Sequence, residues 1–417
     1  MKSKLASISI FWTVSLAVAY IVGAKISTPE KGSTDTANTE SSSRPSYRAK
    51  INSASTNSES RSETGRSSSR NSSSSPDISE IIKQNDPIER VNKLLAFINQ
   101  LGPNDFPQVI ADFRASGLTR ERMSEYSMLL HAWAKEDPLS ALDYAEQNTD
   151  NRFARQTILA SWAADNPDGA LQWAKSNYEG NNGNPWLVGV IRGIAGANPQ
   201  KASEIMNTMA FSRERGQALD TIVPHMVALG REDAISWLDT IEDERLLNGA
   251  TARVAAQLTT KNPEATAEWA TSLEQNDVRE RAIGEVADNW ADQDVTSAVA
   301  WTETLTGTDK IRAARELIGE FAREDSTQAS EWLDSLAGND GYERVAHNFI
   351  FSTAGSNPEL ALSKIPTIES TRAQDLYYER ILTNWHRNDA EATVAWMQAN
   401  NISEAIQQRA TRTRNNR

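Results

Sequence analysis

The sequence predicts an all-α fold, a solenoid of about ten helix-turn-helix repeats of about 32 residues each. Three observations carry that prediction. First, Asp or Asn followed by Pro recurs, at Asp137-Pro138, Asn166-Pro167, Asn198-Pro199, Asn262-Pro263 and Asn357-Pro358. Second, a small residue three positions after the proline and an aromatic six positions after it keep the same frame, as in Ala170 and Trp173 behind Pro167. Third, apolar residues stand nine and five positions before it, at the three-to-four spacing of a helical face.

The elements before the repeats come first. Lys2 and Lys4 precede an apolar run over 5–24 that includes Phe11, Trp12 and Tyr20. That run is long enough to span a bilayer, and its basic N-terminal side predicts that everything after Ala24 lies outside the cytoplasm. Two fates stay open: a signal peptide cleaved near Ala24 after the small-residue pattern Val22-Gly23-Ala24, or an uncleaved anchor that keeps residues 5–24 in the membrane. Both predict export to the periplasm or cell surface. Residues 25–76 then read as a disordered Ser/Thr-rich linker. Between 33 and 75, 22 of 43 residues are Ser or Thr, too few of the rest being apolar to offset the entropy of ordering. Such a tether of about fifty residues has a root-mean-square reach of roughly 40 Å.

The repeats fill 77–411. Pro138, Pro167, Pro199, Pro263 and Pro358 serve as anchors, and the same frame finds units whose proline is replaced, at Arg231, Val295, Ser326 and Ala390, with Pro107 at the front. Successive anchors are 29 to 32 residues apart, a register that chance does not hold over so many intervals. Nine positions upstream stand Leu129, Ile158, Val190, Ile222, Val254, Val286, Leu317, Phe349 and Ile381. Asp or Asn before Pro is a good N-cap, and Pro at the first helical position loses no hydrogen bond. Each unit therefore reads as helix, tight capped turn, helix, short loop. Asp86-Pro87 opens the first unit, 402–410 forms a short closing helix, and a basic tail covers 412–417.

On those anchors the unit resembles the two-helix α-solenoid repeats, tetratricopeptide-like or HEAT-like. The resemblance covers about residues 86–400; the period falls short of the tetratricopeptide repeat, and the Gly and Tyr of that repeat's first helix are missing from the frame. It implies a right-handed superhelical scaffold with an extended groove for peptides or proteins.

Composition narrows the chemistry. The 417 residues carry 43 Lys/Arg and 56 Asp/Glu, divided unevenly: 10 against 5 in residues 1–76, and 33 against 51 in 77–417. An acidic repeat region is a poor nucleic-acid binder. With no cysteine, disulfides, thiolate nucleophiles and Cys-based metal sites are excluded. No Gly-x-Ser-x-Gly elbow, P-loop or His-Glu-x-x-His occurs, and His131, His225, His347 and His386 are not at metal-ligand spacing. No cofactor, metal or catalytic residue is therefore expected.

Ten of the twelve tryptophans fall in repeat register. Trp173, Trp237, Trp269, Trp301, Trp332 and Trp396 share one position; Trp133, Trp162, Trp290 and Trp385 share another. They are expected in the core. Trp186, after the polar loop 178–185, is the candidate exposed ligand contact. The sequence thus points to a non-catalytic extracytoplasmic scaffold for a protein or peptide. The alternative is a cell-envelope glycan-binding or glycan-processing protein on a helical scaffold.

Overall fold

The computed structural model of the chain describes residues 78–149, 151–180 and 182–412. The expected targeting run (1–24), the Ser/Thr-rich segment (25–76) and most of the basic tail lie outside the described residues. Among the described residues the fold is all-helical, with no strand. The helices are α1 (Ser79–Ile82), α2 (Pro87–Ile98), α3 (Phe106–Ala115), α4 (Met123–Glu136), α5 (Pro138–Asn148), α6 (Arg152–Asp165) and α7 (Pro167–Ser176). There follow α8 (Pro185–Ala195), α9 (Pro199–Asn207), α10 (Arg213–Leu229), α11 (Arg231–Leu238), α12 (Glu244–Thr259), α13 (Pro263–Ser272) and α14 (Asn276–Thr304). The last are α15 (Gly307–Glu324), α16 (Ser326–Ser335), α17 (Tyr342–Thr353), α18 (Pro358–Lys364), α19 (Thr371–Asn388), α20 (Ala390–Ala399) and α21 (Glu404–Ala410). No described helix is long and apolar enough to cross a membrane.

The turn inside each unit is built the way the anchor predicts. The backbone N–H before the anchor donates to the carbonyl four residues earlier, as Asp137 to Trp133 and Asn166 to Trp162. The Asp or Asn side chain there then accepts from the new helix: Asp137 from Ser140, Asn166 from Gly169, Asn198 from Lys201, Asn262 from Ala265, Asn357 from Leu360 and Asp389 from Ala392. Each such cap stabilises its helix by about 1 kcal/mol. Asp294 does the same inside α14, where φ −155° and ψ 91° interrupt the helix and its carboxylate takes the Ser297 N–H. α14 is thus two helices of one unit meeting at the frame's own break point. Two anchors depart from the rule. Gly230 has φ +148° and no side chain to cap α11. Asp105 does not cap α3; its carboxylate instead accepts from Gly102.

Hairpin stacks on hairpin. Each first helix packs on the next first helix, α4 on α6, α6 on α8, α8 on α10, α10 on α12 and α12 on α14. Each second helix packs on its own first helix and on that of the following unit, as α5 does on α4 and α6. The alanines three positions after the anchors (Ala141, Ala170, Ala202, Ala234, Ala298, Ala329, Ala361) are fully buried, small enough to let the layers close. One apolar core runs from Ile78 to Leu317 and a second from Ile311 to Ala410, both drawing on α15. Since no hairpin hides its apolar face alone, this shared core is what makes the array cohere.

Several register aromatics line the contact between the two helices of a unit. The two aromatic positions meet within a unit: Trp133 with Tyr144, Trp290 with Trp301, Phe321 with Trp332 and Trp385 with Trp396, at centroid distances of 5.3, 5.7, 5.9 and 6.2 Å. Trp133, Trp237, Trp269 and Trp290 are buried, and Trp162, Trp173, Trp301, Trp332, Trp385 and Trp396 are partly buried. Indole N–H groups also fasten a unit to its predecessor. Trp237 donates to Ser203 (2.7 Å) and Trp332 to Glu303 (2.6 Å). At the equivalent place of α18 the residue is Lys364, 7 % exposed, whose ammonium lies 2.6 Å from both Asp334 carboxylate oxygens.

Candidate binding face

The first helices share a further side, outside the main apolar cluster and mostly half-buried or exposed, though Ala160 on it is buried. Its residues lie seven and three positions before each anchor. Over α6, α8, α10 and α12 these are Ala160 and Ala164, Arg192 and Gly196, Pro224 and Ala228, Ala256 and Thr260. Seven of the eight are small or ring-closed, so the floor is low, and Arg192 is the one long side chain on it.

The helices under this floor are pressed together. A Cβ on Gly193 would lie 2.2 Å from the Ala160 carbonyl oxygen, and one on Gly189 would lie 2.6 Å from that of Gln156. Only glycine lets α8 approach α6 so closely. The crowding brings next-nearest helices into range. Arg152 on α6 reaches Glu214 on α10 at 2.6 Å, passing α8. His131 on α4 feels the charge of Arg192 on α8, passing α6.

Charge is sorted along the face. At α4 and α8, burial first, then the positive charges of Lys135 and Arg192, push His131 down to about 4, so it is neutral at neutral pH. Burial lowers His225 as well. Arg192 is exposed, while desolvation by the protein around it lowers the pKa of its guanidinium. At α14 and α15 the same face is a lattice of both signs. Arg312 and Arg315 reach Glu316 at 3.2 and 2.7 Å, Arg281 is 3.9 Å from Glu285, and Arg323 pairs with Glu320. Burial raises the pKa of Glu285 and of Asp288, which also feels Asp292. Further along, Phe351 on α17 is 69 % exposed, with the Arg380 guanidinium 5.8 Å from its ring.

Trp186, expected to be an exposed contact, is instead 7 % exposed. The reason is local. Asn184 caps α8 by accepting the Trp186 N–H, with Pro185 as first helical residue, so Trp186 belongs to the first turn of a packed helix and not to the loop. The indole then packs edge-on to Trp173 and under the Arg155 guanidinium, and its N–H donates to the Asn177 carbonyl. Trp186 stands thirteen positions before its anchor, the place held by buried Ala154, Ala218, Ala250, Ala282 and Ala313 in other units. That frame extension was the available signal. Of the remaining histidines, His347 bonds the Tyr377 hydroxyl at 2.6 Å. Among the described residues no group of His, Asp and Glu is placed to hold a metal ion.

The opposite side, made by second helices, offers one shallow cleft between α11 and α13, lined by Arg231, Ile235, Ser236, Glu268 and Trp269. Arg231 closes it by donating to the Ala265 carbonyl at 2.9 Å.

No protein family, curated protein or solved structure matches this chain.

Proposed function

We propose that the chain is an exported, non-catalytic scaffold whose first-helix face is the groove of a right-handed superhelix and binds an extended peptide or protein segment. Export rests on the basic residues and apolar run at 1–24, the final step on the architecture, by analogy with other helical arrays. The observation that carries the reading is the floor over α6 to α12. Its short side chains leave a low strip flanked by the polar residues of α4 and α14, and an ion pair at the N-terminal ends of α6 and α10 links helices two units apart. Crowded first helices, with second helices that chiefly touch first helices rather than one another, are the packing of a stack that bends toward its first-helix side.

The test is peptide panning on the full-length protein. Peptides recovered should compete with one another and lose binding to Ala228→Trp, which fills the floor, while Ser236→Trp on the far side leaves them bound. Recovery of no peptide, or equal loss with both variants, would sink the reading. Capture of glycans in place of peptides would put the envelope-glycan alternative first.

A further inference from the structure

We propose that the cleft between α11 and α13 binds a neutral saccharide, held by the Trp269 indole N–H and the Arg231 Nε–H. The cleft lies on the second-helix side, opposite the groove proposed above, and does not depend on it. Its volume is about 420 Å³, at the small end of ligand pockets. Two of its lining residues carry a buried N–H with no acceptor among the described residues, Trp269 at Nε1 and Arg231 at Nε. Buried donors without an acceptor also occur at Trp133, Arg155, Arg215 and Arg312, but none of those residues lines the cleft. The repeat frame identifies what Trp269 lacks. Trp237, at the same repeat position, donates to Ser203 of the preceding hairpin at 2.7 Å. One hairpin on, the residue corresponding to Ser203 is Ile235, which has no side-chain acceptor and forms part of the cleft wall. Trp269 is 7 % exposed, and an unmet N–H that deep is unfavourable until an acceptor reaches it. Arg231 is held by two contacts, to the Ala265 carbonyl at 2.9 Å and to Glu232 at 3.1 Å, a side chain that is itself 82 % exposed. Both N–H groups are covered in the free cleft, and a turn of the Arg231 side chain off Ala265 admits the ligand to them.

The chemistry selects the ligand class. The two N–H groups need acceptors. The exposed carboxylates of Glu232 and Glu268 need donors, and the Ser236 hydroxyl serves as either. Two carboxylates against one guanidinium leave the cleft negative, which disfavours a phosphate or a carboxylate. A cationic side chain would pair with the glutamates and leave both N–H groups unmet. A hydroxyl both donates and accepts, and a sugar ring carries several at fixed spacing, with C–H faces to lie against Ile235. A neutral saccharide meets all of these demands at once.

The experiment follows the indole N–H signals of the full-length protein by proton–nitrogen NMR, with the Trp269 signal assigned by its loss in Trp269→Phe. Cellobiose, N,N′-diacetylchitobiose, glucuronate and a blocked triglycine amide are titrated in turn. At least one of the two neutral disaccharides should move the Trp269 signal to lower field, as a new acceptor does, and saturate the change. Ser236→Trp, which fills the cleft, should weaken that binding by about tenfold or more. Ile235→Ser, which gives Trp269 the acceptor that Trp237 already has, should weaken it by about threefold or more. Ala228→Trp, on the groove side, should leave it unchanged. No movement of the Trp269 signal up to the solubility limit of both disaccharides, or a movement that persists undiminished in Ser236→Trp, overturns the site. Glucuronate or the triglycine amide binding as tightly as the disaccharides overturns the assignment to a neutral saccharide.

Discussion

The block from α4 to α10 and the block from α14 to α19 share one repeat frame and use it differently. In the first, helix backbones touch: glycines on α8 admit the carbonyls of α6, and most side chains seven and three positions before the anchors are small. In the second, side chains stand between the helices. Gly284 on α14 makes room not for backbone but for Arg312, whose Nε would be 2.5 Å from an added Cβ. Farther on, the turn Ile365–Thr367 is wedged between α17 and α19. The same architecture is thus closed by steric fit at one end and by paired charge at the other. Close packing gives a rigid, low floor, whereas a charge lattice gives a face that responds to pH and salt.

That contrast can be broken by substitution. Gly193→Ala drives a Cβ into a carbonyl that cannot move alone, so it should cost about 3 kcal/mol and strip hydrogen-exchange protection from α6 and α8. Gly284→Ala meets only the end of a flexible side chain and should cost less than about 1 kcal/mol. Equal losses at the two sites would erase the distinction.

Acid sharpens it, because the blocks titrate with opposite signs. His131 is held at about 4 in the fold against 6.5 when free. Between those values the unfolded chain binds the proton and the folded chain does not, so stability falls as pH drops from 6.5 toward 4. The loss should reach about 2 kcal/mol after allowance for partial exposure, and His131→Asn should remove it from the melts. Glu285 and Asp288 have raised pKa values, so they bind protons more readily folded than unfolded. Acidification through their raised values down to the ordinary carboxylate range therefore stabilises α14 and α15, and exchange protection there should rise while that of α4 to α8 falls.

Smaller effects follow at the unit boundaries. Asp334→Ala strands the buried Lys364 ammonium and should cost about 1–2 kcal/mol, discounted because Asp334 is itself largely exposed; adding Lys364→Met should recover most of it. Asn262→Ala removes the α13 cap and should cost about 1 kcal/mol, read by urea denaturation. Asp288→Asn at pH 7 relieves a crowded carboxylate and should raise stability by less than about 1 kcal/mol.

The repeat frame was legible in the sequence because caps and core positions are local chemistry repeated many times. Asp294 shows how far that reached: the frame broke a helix that is otherwise unbroken over Asn276–Thr304. The face was not legible, because a pairing such as Arg152 with Glu214, between α6 and α10, depends on how successive units are placed, which no single unit encodes. Trp186 was misplaced by its polar surroundings, although Asn184-Pro185 is the same capping pair that marks other helix starts.

Lys364 carries one more consequence. Where Trp332 donates to Glu303 of the preceding hairpin, Lys364 addresses Asp334 of its own predecessor. Handle and receptor are thus carried by adjacent modules, and the array has a written order. A hairpin transplanted behind a stranger lacking the carboxylate would leave the buried Lys364 ammonium without its counter-charge, so grafting these modules favours keeping the pair together.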